Sequence, residues 1–300
     1  MKQLYAATLF PLLACAILIG SFAGCKIIDP AEDIPSYIHI DAMSLQVTGT
    51  AQGTSRSAIT EAWIFMDGEL IGGFELPCTI PILAEGSHNF VIRGGVKMNG
   101  LTATRAIYPS WKGWEDNITL IRGQKVTVSP VVTYFPSWNF DIASTWMCNF
   151  DAPGTNFDAY SESQQRHIIK DTVGSVDGSN YAKINLNNPD TTFFVGGSTD
   201  GYFMSPVTDV WLEFDYKSDC EFTVGVENSV ATPIYRVPWL TVQPRAGWTK
   251  IYVRLTDALA EAAQLSDDPG VVRYKIYFAM VNPTTQAEST LYIDNIKLLK

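Results

Sequence analysis

Val210-Trp211-Leu212-Glu213-Phe214-Asp215-Tyr216 changes character at every residue. Successive side chains of a strand point to opposite faces. One face therefore takes Val210, Leu212, Phe214 and Tyr216, and the other takes Trp211, Glu213 and Asp215. A helix would mix the two sets, so the period of two decides for β structure. Ile251-Tyr252-Val253-Arg254-Leu255 repeats the pattern, with Tyr252 and Arg254 outward. Tyr274-Lys275-Ile276-Tyr277-Phe278 does so again, with Lys275 and Tyr277 outward. One face of a sheet must be buried and the other can stay wet. The expected wet face is aromatic and charged: Trp211, Glu213, Asp215, Tyr252, Arg254 and Tyr277.

The same signature extends in both directions. Ala62 to Met66 runs into Asp67-Gly68 and returns over Glu69 to Phe74. Asp-Gly between apolar runs predicts a type I′ hairpin, which needs positive φ at both centres. Further strands are expected at Leu45–Val47, Asn89–Arg93, Leu101–Tyr108, Ile118–Ile121 and Lys125–Val132. After a junction at 136–145 they resume at Tyr181–Leu186, Asp209–Tyr216, Glu221–Glu227, Thr249–Leu255, Arg273–Met280 and Thr290–Leu298. One helix is predicted, Asp257–Leu265, capped by Thr256 or Asp257. The fold class is all-β, with two β-sandwich domains, residues 37–135 and 146–300.

Composition agrees and narrows the function. The 300 residues are 46% hydrophobic and 12% aromatic, too apolar for a disordered chain. With 31 acidic against 21 basic residues, the net charge of −10 excludes a nucleic-acid partner that needs a basic face. The three histidines, His39, His88 and His167, are far apart. No G-x-S-x-G elbow, H-E-x-x-H or P-loop occurs. Glu213 and Asp215 share one strand face with no evident cleft, a poor geometry for glycoside hydrolysis. The expectation is a protein that is not an enzyme and requires no cofactor.

Residues 1–24 read as a secretory signal: Met1-Lys2, an apolar run from Leu4 to Gly20, then Ser21-Phe22-Ala23-Gly24-Cys25. Ala23-Gly24-Cys25 resembles the lipobox of bacterial lipoproteins. That resemblance implies acylation of Cys25 and a membrane partner reached through lipid. Residues 25–36 form the tether. Its Asp29, Glu32 and Asp33 resemble the surface-export signal of Bacteroidota lipoproteins, implying an outer-membrane, outward-facing location. Cys78, Cys148 and Cys220 remain, an odd number without a C-x-x-C spacing. They read as small buried side chains.

Two further resemblances concern the domains. Asp67-Gly68, Gly72, Pro77, Gly86 and His88, within Ala62–Gly95, resemble the PEGA family, an immunoglobulin-like sandwich. Residues 146–300 resemble the jelly rolls of carbohydrate-binding modules. The carrying residues are Asn149-Phe150-Asp151, Val176 to Tyr181, Met204-Ser205-Pro206, Gly247-Trp248-Thr249 and the ending Leu291-Tyr292-Ile293-Asp294-Asn295-Ile296. This likeness implies a glycan ligand for the aromatic and charged face. It also implies a structural calcium between the first and last strands, at Asp151 and Asp294. Two functions stay open: a surface glycan-binding module, and a scaffold that docks envelope proteins. For the second, Trp111, Trp114 and Trp138 near the junction would supply an apolar patch.

Overall fold

The computed structural model describes residues 32–135, 146–204, 208–228, 234–265 and 273–300. Cys25, Trp138, Ser205 and Pro206 lie outside them. Among the described residues the fold is all-β with a single α-helix, arranged as two sandwiches.

The first sandwich holds β1 (Ser36–Ile40), β2 (Ser44–Gln46), β3 (Glu61–Met66), β4 (Glu69–Glu75), β5 (Cys78–Ile82), β6 (Gly86–Lys97), β7 (Arg105–Ile107), β8 (Trp111–Lys112), β9 (Trp114–Leu120), β10 (Lys125–Val128) and β11 (Val131–Tyr134). One sheet is β4-β3-β6-β7, with β9 also on β6. Facing it are two small sheets, β10-β1-β5 and β2-β11-β8, in which β1 pairs with β10 and β2 with β11 in parallel. The β3–β4 hairpin turns at Asp67 (φ 51°) and Gly68 (φ 88°), both in the left-handed region that the Asp-Gly pair predicts. His88 has a local structural task here. Its Nδ1 lies 2.6 Å from Asp67 Oδ2, and the Asn89 amide donates to Asp67 Oδ1. The hydrogen bond from His88 holds the Asp67 carboxyl below its ordinary range.

The second sandwich holds β12 (Trp146–Cys148), β13 (Phe157–Ala159), β14 (Ile169–Asp171), β15 (Tyr181–Asn187), β16 (Phe193–Ser198), β17 (Tyr202–Phe203), β18 (Trp211–Ser218), β19 (Phe222–Asn228), β20 (Arg236–Val242), β21 (Arg245–Arg254), β22 (Arg273–Val281) and β23 (Glu288–Leu299). The front sheet runs β14-β15-β23-β18-β21, with β12 also on β23. The back sheet runs β13-β16-β22-β19-β20, with β17 also on β22. Between them Leu212, Phe214, Val224, Ile276, Phe278 and Ile293 form a dry core. The helix α1 (Thr256–Gln264) adds Ala258, Leu259 and Ala262 to that core. Its N-cap is Leu255, without a side-chain cap bond. The expected cap Thr256 instead receives the Val210 amide on its hydroxyl, tying the helix to the start of β18.

Several strands were not expected, and for β5, β16 and β20 proline or glycine explains why. β5 contains Pro81 and β20 contains Pro238, and both are edge strands, where a missing N–H is tolerated. β16 contains Gly196 and Gly197, and a Cβ on Gly197 would meet the Ile276 carbonyl of β22. The stretch Leu101–Tyr108 yields only β7, because the chain first turns at Asn99 (φ 57°) and Gly100 (φ 69°).

Candidate functional site

The outward stripe of the front sheet is as the alternation orders it, but most of it is not wet. Trp211, Tyr252 and Leu299 leave the second sandwich and enter the core of the first. Tyr108 contacts Trp111, Tyr252 and Trp211, with ring centroids at 4.6, 4.9 and 5.3 Å. The turn of the β6–β7 hairpin docks on the edge strand β21: Asn99 N–H donates to the Tyr252 carbonyl, and Arg254 N–H donates to Asn99 Oδ1. Trp111 therefore packs between the domains, and Trp114 packs against the first core.

One row further along the stripe, the contact becomes ionic. Glu213 is fully buried, accepts a 2.6 Å hydrogen bond from the Tyr134 hydroxyl, and lies 3.3 Å from Lys297 Nζ. Burial pushes the Glu213 carboxyl up, but Lys297, Lys250 and the Tyr134 hydroxyl outweigh it and hold the group below its ordinary range. Burial lowers the Lys297 ammonium despite its partner. Asp215, also fully buried, receives Arg56 at 2.7 Å, Lys250 at 3.5 Å and the Asn295 amide at 3.3 Å. Buried charges survive only when paired in this way.

The expected wet glycan face must therefore be corrected. Trp211, Glu213, Asp215 and Tyr252 are sealed under the first domain. Arg254, at the edge of the seam, pairs with Asp209 at 2.7 Å. Tyr277 belongs to the back sheet, so it shares no face with the others. Tyr202 stacks on Trp146 in the second core, and Trp239 packs on that core and donates to the Arg254 carbonyl.

The expected calcium pair, Asp151 and Asp294, lies close enough for Asp151 to act on the Asp294 carboxyl. Asp151 Oδ1 accepts the Asn180 amide and side chain, and its Oδ2 accepts Asn149. Asp294 is buried, with Oδ2 unpartnered. Among the described residues no three His, Cys, Asp or Glu side chains converge as a metal site. Asp294 is instead a carboxyl pushed up to about 8, first by burial and then by Asp177, Asp215 and Asp151. The seam beside it holds a cavity of about 360 Å³, with Asn149, Asn156, Asn295 and Lys297 among its lining residues and no carboxylate.

The face left to other partners is the outside of the back sheet. Arg236 of β20 spans it, its guanidinium carbon 5.5 Å from the Tyr160 ring centroid and 5.6 Å from that of Tyr277. Arg236 also pairs with Glu227 and Glu162. Lys275 Nζ lies 5.3 Å from the Tyr160 ring. Cross-strand register explains the gathering: Glu227 is opposite both Arg236 and Lys275, and Gly225 is opposite Tyr277. A Cβ on Gly225 would come within 2.7 Å of the Tyr277 ring, so the glycine makes room for it. The Tyr160 hydroxyl donates to the Ser198 carbonyl and locks that ring across the sheet.

Burial pushes Glu162 up, but the Arg236 guanidinium outweighs it and holds the carboxyl below its ordinary range, the opposite of a general acid. Burial raises the Tyr277 phenol to about 12. The result is a preorganised set of donors and acceptors, Arg236, Lys275 and Glu162, over a half-buried Tyr160 ring, with Tyr277 and Glu227 buried beneath them. Of this group the sequence singled out Lys275 and Tyr277. Glu227 and Arg236 needed the register of β19 and β20 to be found.

No family model matches the chain, and no curated protein matches it. Among solved structures 122 chains match. One is a family 29 carbohydrate-binding module complexed with mannohexaose, 17% identical, TM-score 0.33, covering 52% of this chain and 92% of the module. Another is described simply as a family 29 carbohydrate-binding module, 16% identical, TM-score 0.32, covering 52% and 88%. A third is the family 30 carbohydrate-binding module of a cellulosomal cellulase of Clostridium thermocellum, 17% identical, TM-score 0.32, covering 52% and 91%.

Proposed function

We propose that the protein is a non-catalytic envelope lipoprotein whose second sandwich binds glycans on the outer face of its back sheet. The observation that supports this is the Tyr160–Arg236–Tyr277 stack with Glu162, Glu227 and Lys275. Guanidinium, ammonium and carboxylate groups bond sugar hydroxyls, and the half-buried Tyr160 ring offers a surface for the C–H face of a sugar ring. The first sandwich is fused to the front sheet and serves as a mount that leaves the back sheet free. Acylation at Cys25 and outward display complete the reading, with residues 25–36 as the tether. Among the described residues no helix is long and apolar enough to cross a membrane.

The test is a polysaccharide and glycan-array screen of the mature chain, with Lys275→Ala alongside. Binding that weakens in the variant, at unchanged thermal stability, supports the reading. A negative screen with folded protein sinks it and favours the scaffold alternative. A partner pulled down from envelope extract through the same face would then be expected.

A further inference from the structure

The front-sheet stripe does not end at the seam. Beyond Asp215 it emerges from under the first domain, and the exposed end has a different chemistry. Tyr292 of β23 is flanked across the strands by Lys183 of β15 and Lys217 of β18. Lys217 Nζ stands 4.0 Å from the Tyr292 ring centroid and 5.6 Å from that of Trp248, and Lys183 Nζ stands 5.8 Å from Tyr292. Tyr181 completes the group, 5.4 Å from Trp248 and 5.7 Å from Tyr292. None of these three rings belongs to either core.

Their polar ends are committed to the loop that follows β14. Trp248 Nε1 donates to the Gly174 carbonyl at 2.7 Å, and the Tyr181 hydroxyl donates to that of Val173 at 2.8 Å. Trp248 and Tyr292 are half-buried, Tyr181 is buried beneath them, and the two hydrogen bonds fix Trp248 and Tyr181. Beside them is an open depression of about 430 Å³, with Lys217, Asp219, Arg245 and Tyr292 among its lining residues.

The charge pattern is what calls for a ligand. The chain carries ten more acidic than basic residues, so basic side chains have many potential partners. Along the same stripe, Arg56, Lys250 and Lys297 all have carboxylate partners. Among the described residues Lys217 has no carboxylate within ion-pair distance and stands over two aromatic rings, Arg245 reaches only the Tyr216 hydroxyl, and Lys183 lies over Tyr292 within the field of Asp171. A cation over an exposed ring face is only weakly held there, and a charge-assisted hydrogen bond to an anion is the stronger contact.

We propose that this end of the front sheet is a second glycan subsite, one for acidic sugars such as uronates. The ring's C–H face would lie against Trp248, and its carboxylate would meet Lys217, which stands over Tyr292, and Arg245. This rests on the glycan-binding reading above but uses a separate sheet.

The test is calorimetry of the full mature chain with trigalacturonate, with neutral galactotriose and with sodium sulfate. The variants are Lys217→Gln, Arg245→Gln and, on the back sheet, Lys275→Ala. Trigalacturonate is expected to bind more tightly than galactotriose. Its affinity should fall at least tenfold in the Lys217→Gln/Arg245→Gln double variant and weaken with added salt, as exposed charge contacts do. Lys275→Ala should leave it unchanged. Equal binding of both trimers, no binding of trigalacturonate, or its full displacement by equimolar sulfate would overturn the proposal. Neutral-glycan binding that responds only to Lys275→Ala, together with no trigalacturonate binding, would refute this subsite while leaving the back-sheet reading standing. Melting temperatures matching wild type show that the glutamine variants are folded, and an affinity loss that tracks a fall in melting would also count against the subsite.

Discussion

Tyr134, in the last strand of the first sandwich, donates a 2.6 Å hydrogen bond to Glu213, in the middle of the second. Lys297 reaches both, at 3.0 Å to the Tyr134 oxygen and 3.3 Å to Glu213. The two domains therefore share one buried polar triad. Removing a single member of a buried pair strands the other charge, typically about 3–5 kcal/mol. Glu213→Ala is expected to fall in that range by urea denaturation. The double variant Glu213→Met/Lys297→Met should recover most of the loss. A double variant as unstable as the single one would show that packing, not charge, decides at this point.

Trp211 joins the same seam through its ring. Truncating a buried tryptophan removes about 3–5 kcal/mol through lost burial and the cavity left behind. Trp211→Ala should lower the melting temperature sharply and expose both domains to proteolysis together. Ligand binding measured well below the new midpoint should be unchanged. A variant with wild-type stability and lost binding would place Trp211 on a wet face after all.

Asp294 gives the molecule a pH dependence of stability. Its carboxyl is pushed from 3.8 to about 8 by burial and neighbouring aspartates. Between those values the native state holds a proton that the unfolded chain has released. Stability from this group therefore falls as pH rises through that window. Asp294→Asn should flatten this part of the profile and be more stable than wild type at pH 9. Chemical denaturation at pH 5, 7 and 9 would show it, and parallel profiles for the two proteins would refute it.

The cysteines offer a simple check on the packing. Cys78, Cys148 and Cys220 are free thiols, and the latter two are buried. Burial pushes the Cys148 thiol up to about 12. Since the thiolate is the reactive form, a thiol reagent at pH 8 should leave Cys148 and Cys220 unmodified until the protein unfolds. Rapid modification of Cys148 in the native protein would contradict its position in the core.

Much of the architecture was legible from alternation alone. Val210, Leu212, Phe214 and Tyr216 all lie in the second core, and Trp211, Glu213 and Asp215 all point away from it. Alternation cannot say what covers the other face, and there the expectation failed. A signal was present in the complementary lysines. Lys250 and Lys297 stand opposite Asp215 and Glu213 on adjacent strands, a pattern of mutual neutralisation rather than of a face open to solvent. The back-sheet site was hidden for another reason. β20 contains Pro238 and β16 contains two glycines, which read as loop, so Arg236 had no strand to be placed on.

Leu299 closes the core of a sandwich whose own last strand ends at Tyr134. The first domain is therefore the earlier to emerge during synthesis and yet cannot be finished early. Its apolar end stays uncapped until β23 has been made, threaded between β15 and β18, and brought back to it. Under the proposed export, with the N-terminal end crossing the membrane first, that delay would fall in the period of translocation. The seam thus links completion of the first domain in time to release of the second, and a chain cut short before β23 would carry an unfinished domain at each end.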